Sequence, residues 1–144
     1  MICFSPFENN ILLQDKIDMD ELLKKHPNSS IFACTEDEDI LGICIYEIEG
    51  KICKVNFLKM FDDSPFLKDG LIRRLINFVD LKGAEYIVVK NEGEESFYCK
   101  IGFNPLFFRH FMIDLKGEES NYLFLDIKEF FTKGCCGSSS NNNV

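Results

Sequence analysis

Three carboxylates head the residues able to do chemistry. Glu47 and Glu49 close an apolar run and Asp62 follows the next one, so each could act as a general base. Most acids at strand ends are plain solvated charge. His26 and His110 have no Cys or His at metal-ligand spacing, so no metal is assigned. Cys135-Cys136 beside Lys133 could bind a soft metal or meet oxidants, or simply belong to an unstructured end. Phe107, Phe108 and Phe111 suit a core first, and second a hydrophobic binding wall or the surface of a homodimer.

The elements that must position such groups are legible from periodicity. Ile2-Cys3-Phe4 predicts a strand, and residues 18–26 a helix with acids first, Lys24 and Lys25 last and Pro27 beyond. Strands are expected at Ile31–Cys34, Leu41–Ile48 and Ile52–Leu58, with Glu49-Gly50 as a two-residue hairpin loop. Leu67, Leu71, Leu75 and Val79, widened by Ile72 and Ile76, predict an amphipathic helix capped by Ser64, with Pro65 at its first position and Gly83 at its end. A buried strand at Tyr86–Val89, a helix at Glu94–Ile101, a long alternating strand at 107–115, a strand at Tyr122–Leu125 and a terminal helical turn at Asp126–Lys133 complete the order.

The 144 residues fit one domain, expected at 1–134, with a flexible Cys, Ser and Asn tail at 135–144. Hydrophobic residues make up 46%, fifteen of them Phe, enough for a sizeable core. A net charge of −8 argues against a phosphate-backbone binder, so no nucleic acid is expected and cationic partners are favoured. Seven cysteines, five set singly in apolar runs, read as reduced buried thiols. Without a signal peptide or a membrane-length apolar stretch, a soluble cytoplasmic protein with no membrane partner is expected.

The stretch Asn91, Glu94 and Phe97-Tyr98-Cys99-Lys100-Ile101-Gly102-Phe103 resembles a motif of the GCN5-related N-acetyltransferase (GNAT) superfamily, with Glu94 where that family has a small residue. The order from Leu41 to Phe103 is similar as well. The resemblance implies an α/β fold of the α+β type: a mixed, mostly antiparallel sheet of about six to seven strands flanked by three to four helices. It implies acetyl-CoA as substrate and a small-molecule or peptide amine as acceptor.

The resemblance also implies roles for particular residues. Tyr98 would protonate the departing thiolate, main-chain N–H groups near Leu58 to Met60 would hold the oxyanion, and Glu47 or Glu49 would serve as base. The family's glycine-bearing pyrophosphate loop falls at Asp63-Ser64-Pro65-Phe66-Leu67-Lys68, where neither glycine is present; a second register uses Asp69 and Gly70. The candidate donor-binding residues are therefore Leu58, Met60, Phe66, Leu67, Lys68, Asp69, Gly70 and Asn91. Pro65 removes one donor and Asp63 adds negative charge, whereas Lys68 and the helix terminus favour phosphate. The expected function is acetyl transfer from acetyl-CoA to a primary amine by direct attack. The alternative is a non-catalytic domain of the same fold, binding a ligand or protein after losing the phosphate loop.

Overall fold

Alternating apolar residues and one amphipathic helix demand a sheet with a helix on its face, and the computed structural model has that form. It describes residues 1–7, 21, 24–25, 27–105 and 122–133. Seven strands form one sheet: β1 (Ile2–Phe7), β2 (Ser30–Glu36), β3 (Asp39–Glu49), β4 (Ile52–Met60), β5 (Tyr86–Lys90), β6 (Asn104–Pro105) and β7 (Tyr122–Asp126). Their spatial order is β1-β2-β3-β4-β5-β7-β6, antiparallel throughout except for the parallel pair β4 and β5. Three helices are described: α1 (Pro65–Leu81), α2 (Glu95–Ile101) and α3 (Ile127–Lys133).

The α1 crossover makes the parallel pair, since a parallel neighbour needs a long return connection. Leu71, Ile72, Leu75, Ile76 and Val79 are its buried stripe, each contributing roughly 1.5–3 kcal/mol on leaving water. They pack on Phe32, Cys34, Cys44, Tyr46, Cys53 and Val55, one face of β2 to β4. The other face buries Ile31, Ala33, Ile40, Ile43 and Ile45 against Phe7, Phe57 and Phe61. No described helix is long and apolar enough to cross a membrane.

The expected elements within the described residues are present, the strands extended by one to three residues and the helices α2 and α3 each beginning one residue later than expected. Two details differ. The β3–β4 turn is Gly50-Lys51, not Glu49-Gly50, because Glu49 still pairs with Ile52 and Gly50 carries the positive φ of +62°. The two-residue strand β6 was not expected. The strand at 107–115, the tail at 135–144, His26 and His110 lie outside the described residues, as does most of the helix at 18–26.

The cysteines divide by position. Cys34, Cys44 and Cys53 are buried, but Cys3 on the edge strand and Cys99 on the outer side of α2 are exposed, contrary to the uniform burial expected. Burial pushes the Cys34 thiol up to about 11 and the Cys53 thiol to about 12, and holds Cys44 well above the ordinary value. The unfolded chain would ionise these thiols near ~8.5, so above that pH it binds fewer protons than the native state and stability falls as pH rises. Native labelling at pH 8 should therefore modify Cys3 and Cys99, with the three buried thiols reacting only in denaturant. Labelling of Cys44 in the native protein would contradict this packing.

Candidate functional site

A slip in one strand opens the site. Tyr46 pairs with Val55 while its neighbour Ile45 pairs with Phe57, so Asn56 is an extra residue, a β-bulge in β4. Bulges bend the strand that carries them and re-aim its groups. Pairing of β4 with β5 ends at Val55 opposite Val89, one residue before the bulge, and β4 runs on to Met60 without a neighbour on that side among the described residues. Alternating peptide groups along 56–60 therefore present N–H donors to an edge that no described strand covers.

The space between the parting strands is a cavity of about 40 Å³ lined by Val55, Asn56, Phe57, Leu58, Val89, Lys90, Glu92, Glu94 and Tyr98. Asn56 Nδ2 donates to Glu47 Oε1 and to Ser29 Oγ, both at 3.2 Å, which ties the bulge to β3 and to the residue before β2.

Tyr98 reaches this cavity from α2. Asn91 Oδ1 accepts from the Gly93 N–H at 3.3 Å, and Asn91 Nδ2 donates to Glu95 Oε1 at 3.1 Å, which shapes the turn into that helix. The Tyr98 ring is 5% exposed and lies 5.0 Å from Phe97 and 5.2 Å from Phe103, both edge-on. Burial raises its hydroxyl well above the ordinary tyrosine value, with smaller contributions from Cys44 and Glu92. The phenol thus stays protonated at neutral pH, the state a proton donor needs.

The N-terminus of α1 forms the second part. Ser64 Oγ accepts from the Leu67 N–H and the Ser64 carbonyl from the Lys68 N–H, both at 3.4 Å, and the Ser64 N–H donates to Asp62 Oδ1 at 2.8 Å. With no N–H on Pro65, the Phe66 amide is the open donor of the first turn. The Phe66 side chain is 86% exposed. Lys68 pairs with Glu94 and lies 4.4 Å above the Phe97 ring. These side chains bound a groove of about 510 Å³ between α1 and α2, lined by Pro65, Lys68, Asp69, Gly93, Glu94, Ser96, Phe97 and Lys100.

The structure brings together only some of the residues marked in the sequence. Tyr98 and Leu58 line the cavity, Glu47 touches it through Asn56, and Lys68 and Asp69 line the groove, Asp69 also pairing with Arg73 at 2.8 Å. Glu49 is set apart at the hairpin end, paired with Lys54 at 3.3 Å. Met60 packs toward Gly42, and Asn91 serves the turn. Gly70 lies within α1, where an added Cβ would come 2.9 Å from the Phe4 ring, so it allows α1 to approach β1. Asn56, Glu92 and Glu94 line the cavity without having been marked as binding residues. The adjacent apolar Phe57 and Leu58, which break the alternation of Cys53 and Val55, were the available signal for the bulge.

No protein-family model matches the chain, and no curated protein matches it in sequence. Solved structures do. A GNAT family N-acetyltransferase, YhbS, from Escherichia coli in complex with CoA is 14% identical with a TM-score of 0.66, over 93% of this chain and 86% of that one. Tetrahymena GCN5 is 12% identical with a TM-score of 0.64, over 87% of this chain and 96% of that one. The fold is that of the GNAT acetyltransferases. A GNAT family acetyltransferase from Elizabethkingia anophelis with acetyl-CoA bound agrees at a TM-score of 0.60 and 11% identity, over 87% and 97% of the two chains. The mixed, mostly antiparallel sheet of this chain is the GNAT sheet. Sequence so divergent carries the fold alone.

Proposed function

We propose that this GNAT-fold chain binds acetyl-CoA and transfers the acetyl group to a primary amine by direct attack. The observation that carries the reading is the bulge at Asn56, which leaves an open main-chain edge facing a buried, protonated Tyr98 across the cavity. The amine nitrogen attacks the thioester carbonyl carbon and the C=O electron pair moves to oxygen, where N–H groups of the 56–58 edge receive the negative charge. Collapse breaks the C–S bond, the Tyr98 hydroxyl gives its proton to the thiolate, and the extra proton on the newly acylated nitrogen returns through water to the phenolate. Glu47, reached through Asn56, is the carboxylate placed to draw the ammonium proton through water, whereas Glu49 is engaged with Lys54 at the far end of the hairpin. The Phe66 amide and Lys68 are the groups offered to the pyrophosphate.

One observation favours the non-catalytic alternative. Pro65, Ser64 and Asp62 leave the first turn of α1 with a single open main-chain donor, and the Asp62 carboxylate sits where a phosphate would bring like charge.

A melting experiment with acetyl-CoA separates the two readings. At a hundredfold excess over Kd the ligand stabilises the fold by about 2.7 kcal/mol, a rise of roughly 5–10 °C for a domain of this size. No shift at millimolar acetyl-CoA would leave the binding-module reading.

A further inference from the structure

The cavity at the parted strands and the groove between α1 and α2 share one lining residue, Glu94. On the cavity side Glu94 stands with Asn56 and Tyr98; on the groove side it stands with Pro65, Lys68 and Phe97. Its carboxylate is held by the Lys68 ammonium, 26 residues away in sequence, which in turn rests on the Phe97 ring. This contact joins the start of α1 to the start of α2.

We propose that Glu94 is a gate that selects donors carrying phosphate, an inference resting on the acyl-CoA reading above. With Lys68 engaged, the carboxylate divides the groove from the cavity, so a thiol arm entering from the groove meets a charged side chain before it reaches Tyr98. A phosphate arriving at the first turn of α1 competes for the same ammonium. It offers more charge and more acceptor oxygens than a carboxylate, at a helix terminus that favours anions. The Lys68 and Glu94 side chains are 23% and 43% exposed, so their pairing is partly screened and exchange to a stronger anion costs little. Once Lys68 turns to the phosphate, Glu94 is free to swing to solvent and the two spaces join. A ligand lacking phosphate has nothing with which to release the latch.

The test compares CoA with pantetheine, which has the same thiol arm without the nucleotide or its phosphates, by calorimetric titration of the full chain. The parent should bind CoA at least about 100-fold more tightly than pantetheine, and Glu94→Ser should tighten pantetheine at least about tenfold. Glu94→Gln, which keeps the size but removes the charge, should fall between. Lys68→Met should move the two ligands in opposite directions, weakening CoA by about tenfold or more while tightening pantetheine. A merely structural ion pair would not produce that opposition. Unchanged melting temperatures without ligand would show that the variants fold.

If the parent binds CoA and Glu94→Ser alters neither affinity by more than about twofold, the gate is overturned and the donor-site reading stands. If only Glu94→Ser binds CoA, phosphate does not release the latch and the phosphate-selective gate is overturned. If neither binds CoA, both the donor-site reading and the gate fail.

Discussion

Replacing Tyr98 with Phe is expected to lower the turnover of acetyl transfer by about 10²- to 10⁴-fold, the usual worth of a positioned general acid. Only the hydroxyl is lost. The ring remains between Phe97 and Phe103, so its packing should persist and stability should change by no more than about 1 kcal/mol, the net value of one hydrogen bond. Because the phenol acts after the donor is seated, the Kd for acetyl-CoA should stay within about threefold of the parent while kcat falls. Parent and variant are compared by steady-state kinetics with a generic primary amine and by titration with acetyl-CoA. An unchanged kcat would remove Tyr98 from the reaction and leave it as a core aromatic. The high pKa of the buried phenol adds a second check, since an activity loss attributable to Tyr98 ionisation should not appear as pH rises through the ordinary tyrosine range.

Deleting Asn56 should abolish acetyl-CoA binding, weakening it by more than about 100-fold, without unfolding the domain. Cys53 and Val55 face the α1 side, Phe57 faces the opposite side with Ile45, and Leu58 and Met60 face the α1 side again. Removing Asn56 leaves this in-and-out order intact, so every core residue keeps its place and β4 becomes a regular partner for β3. What disappears is the bend. The strand would continue straight beside β5, and the open donor edge and the cavity would close together. Asn56→Ala separates backbone from side chain, because it keeps the extra residue and loses only the bonds to Glu47 and Ser29. That variant should bind acetyl-CoA within about tenfold of the parent. Circular dichroism and ligand-induced melting shifts read both variants. A deletion variant that binds as tightly as the parent would show that the bulge does not build the donor site.

Glu94 connects these two variants, since it lines the same cavity as Asn56 and Tyr98 while belonging also to the groove. Opening the gate and closing the bulge should have opposite effects on a thiol-arm ligand. A Glu94→Ser, Asn56-deleted double variant should behave like the deletion alone, because a released latch has no cavity to lead into.

The amino-acid sequence alone determined those features whose causes are local. Ser64 and Pro65 mark the start of α1 because a cap and a proline act within one turn, and the Leu71, Leu75 and Val79 stripe declares its buried face through a period the helix itself imposes. The Phe97–Phe103 motif announced the fold through a resemblance in a short run. Tertiary structure decided how the site is assembled. The parallel register of β4 against β5, the consequence of one extra residue at Asn56, the packing of Gly70 on Phe4 and the meeting of Lys68 with Glu94 each join residues far apart in the chain. Patterns of hydrophobicity report which face a residue turns inward. They carry no information about which distant side chain it meets there, because that partner is chosen only when the elements pack.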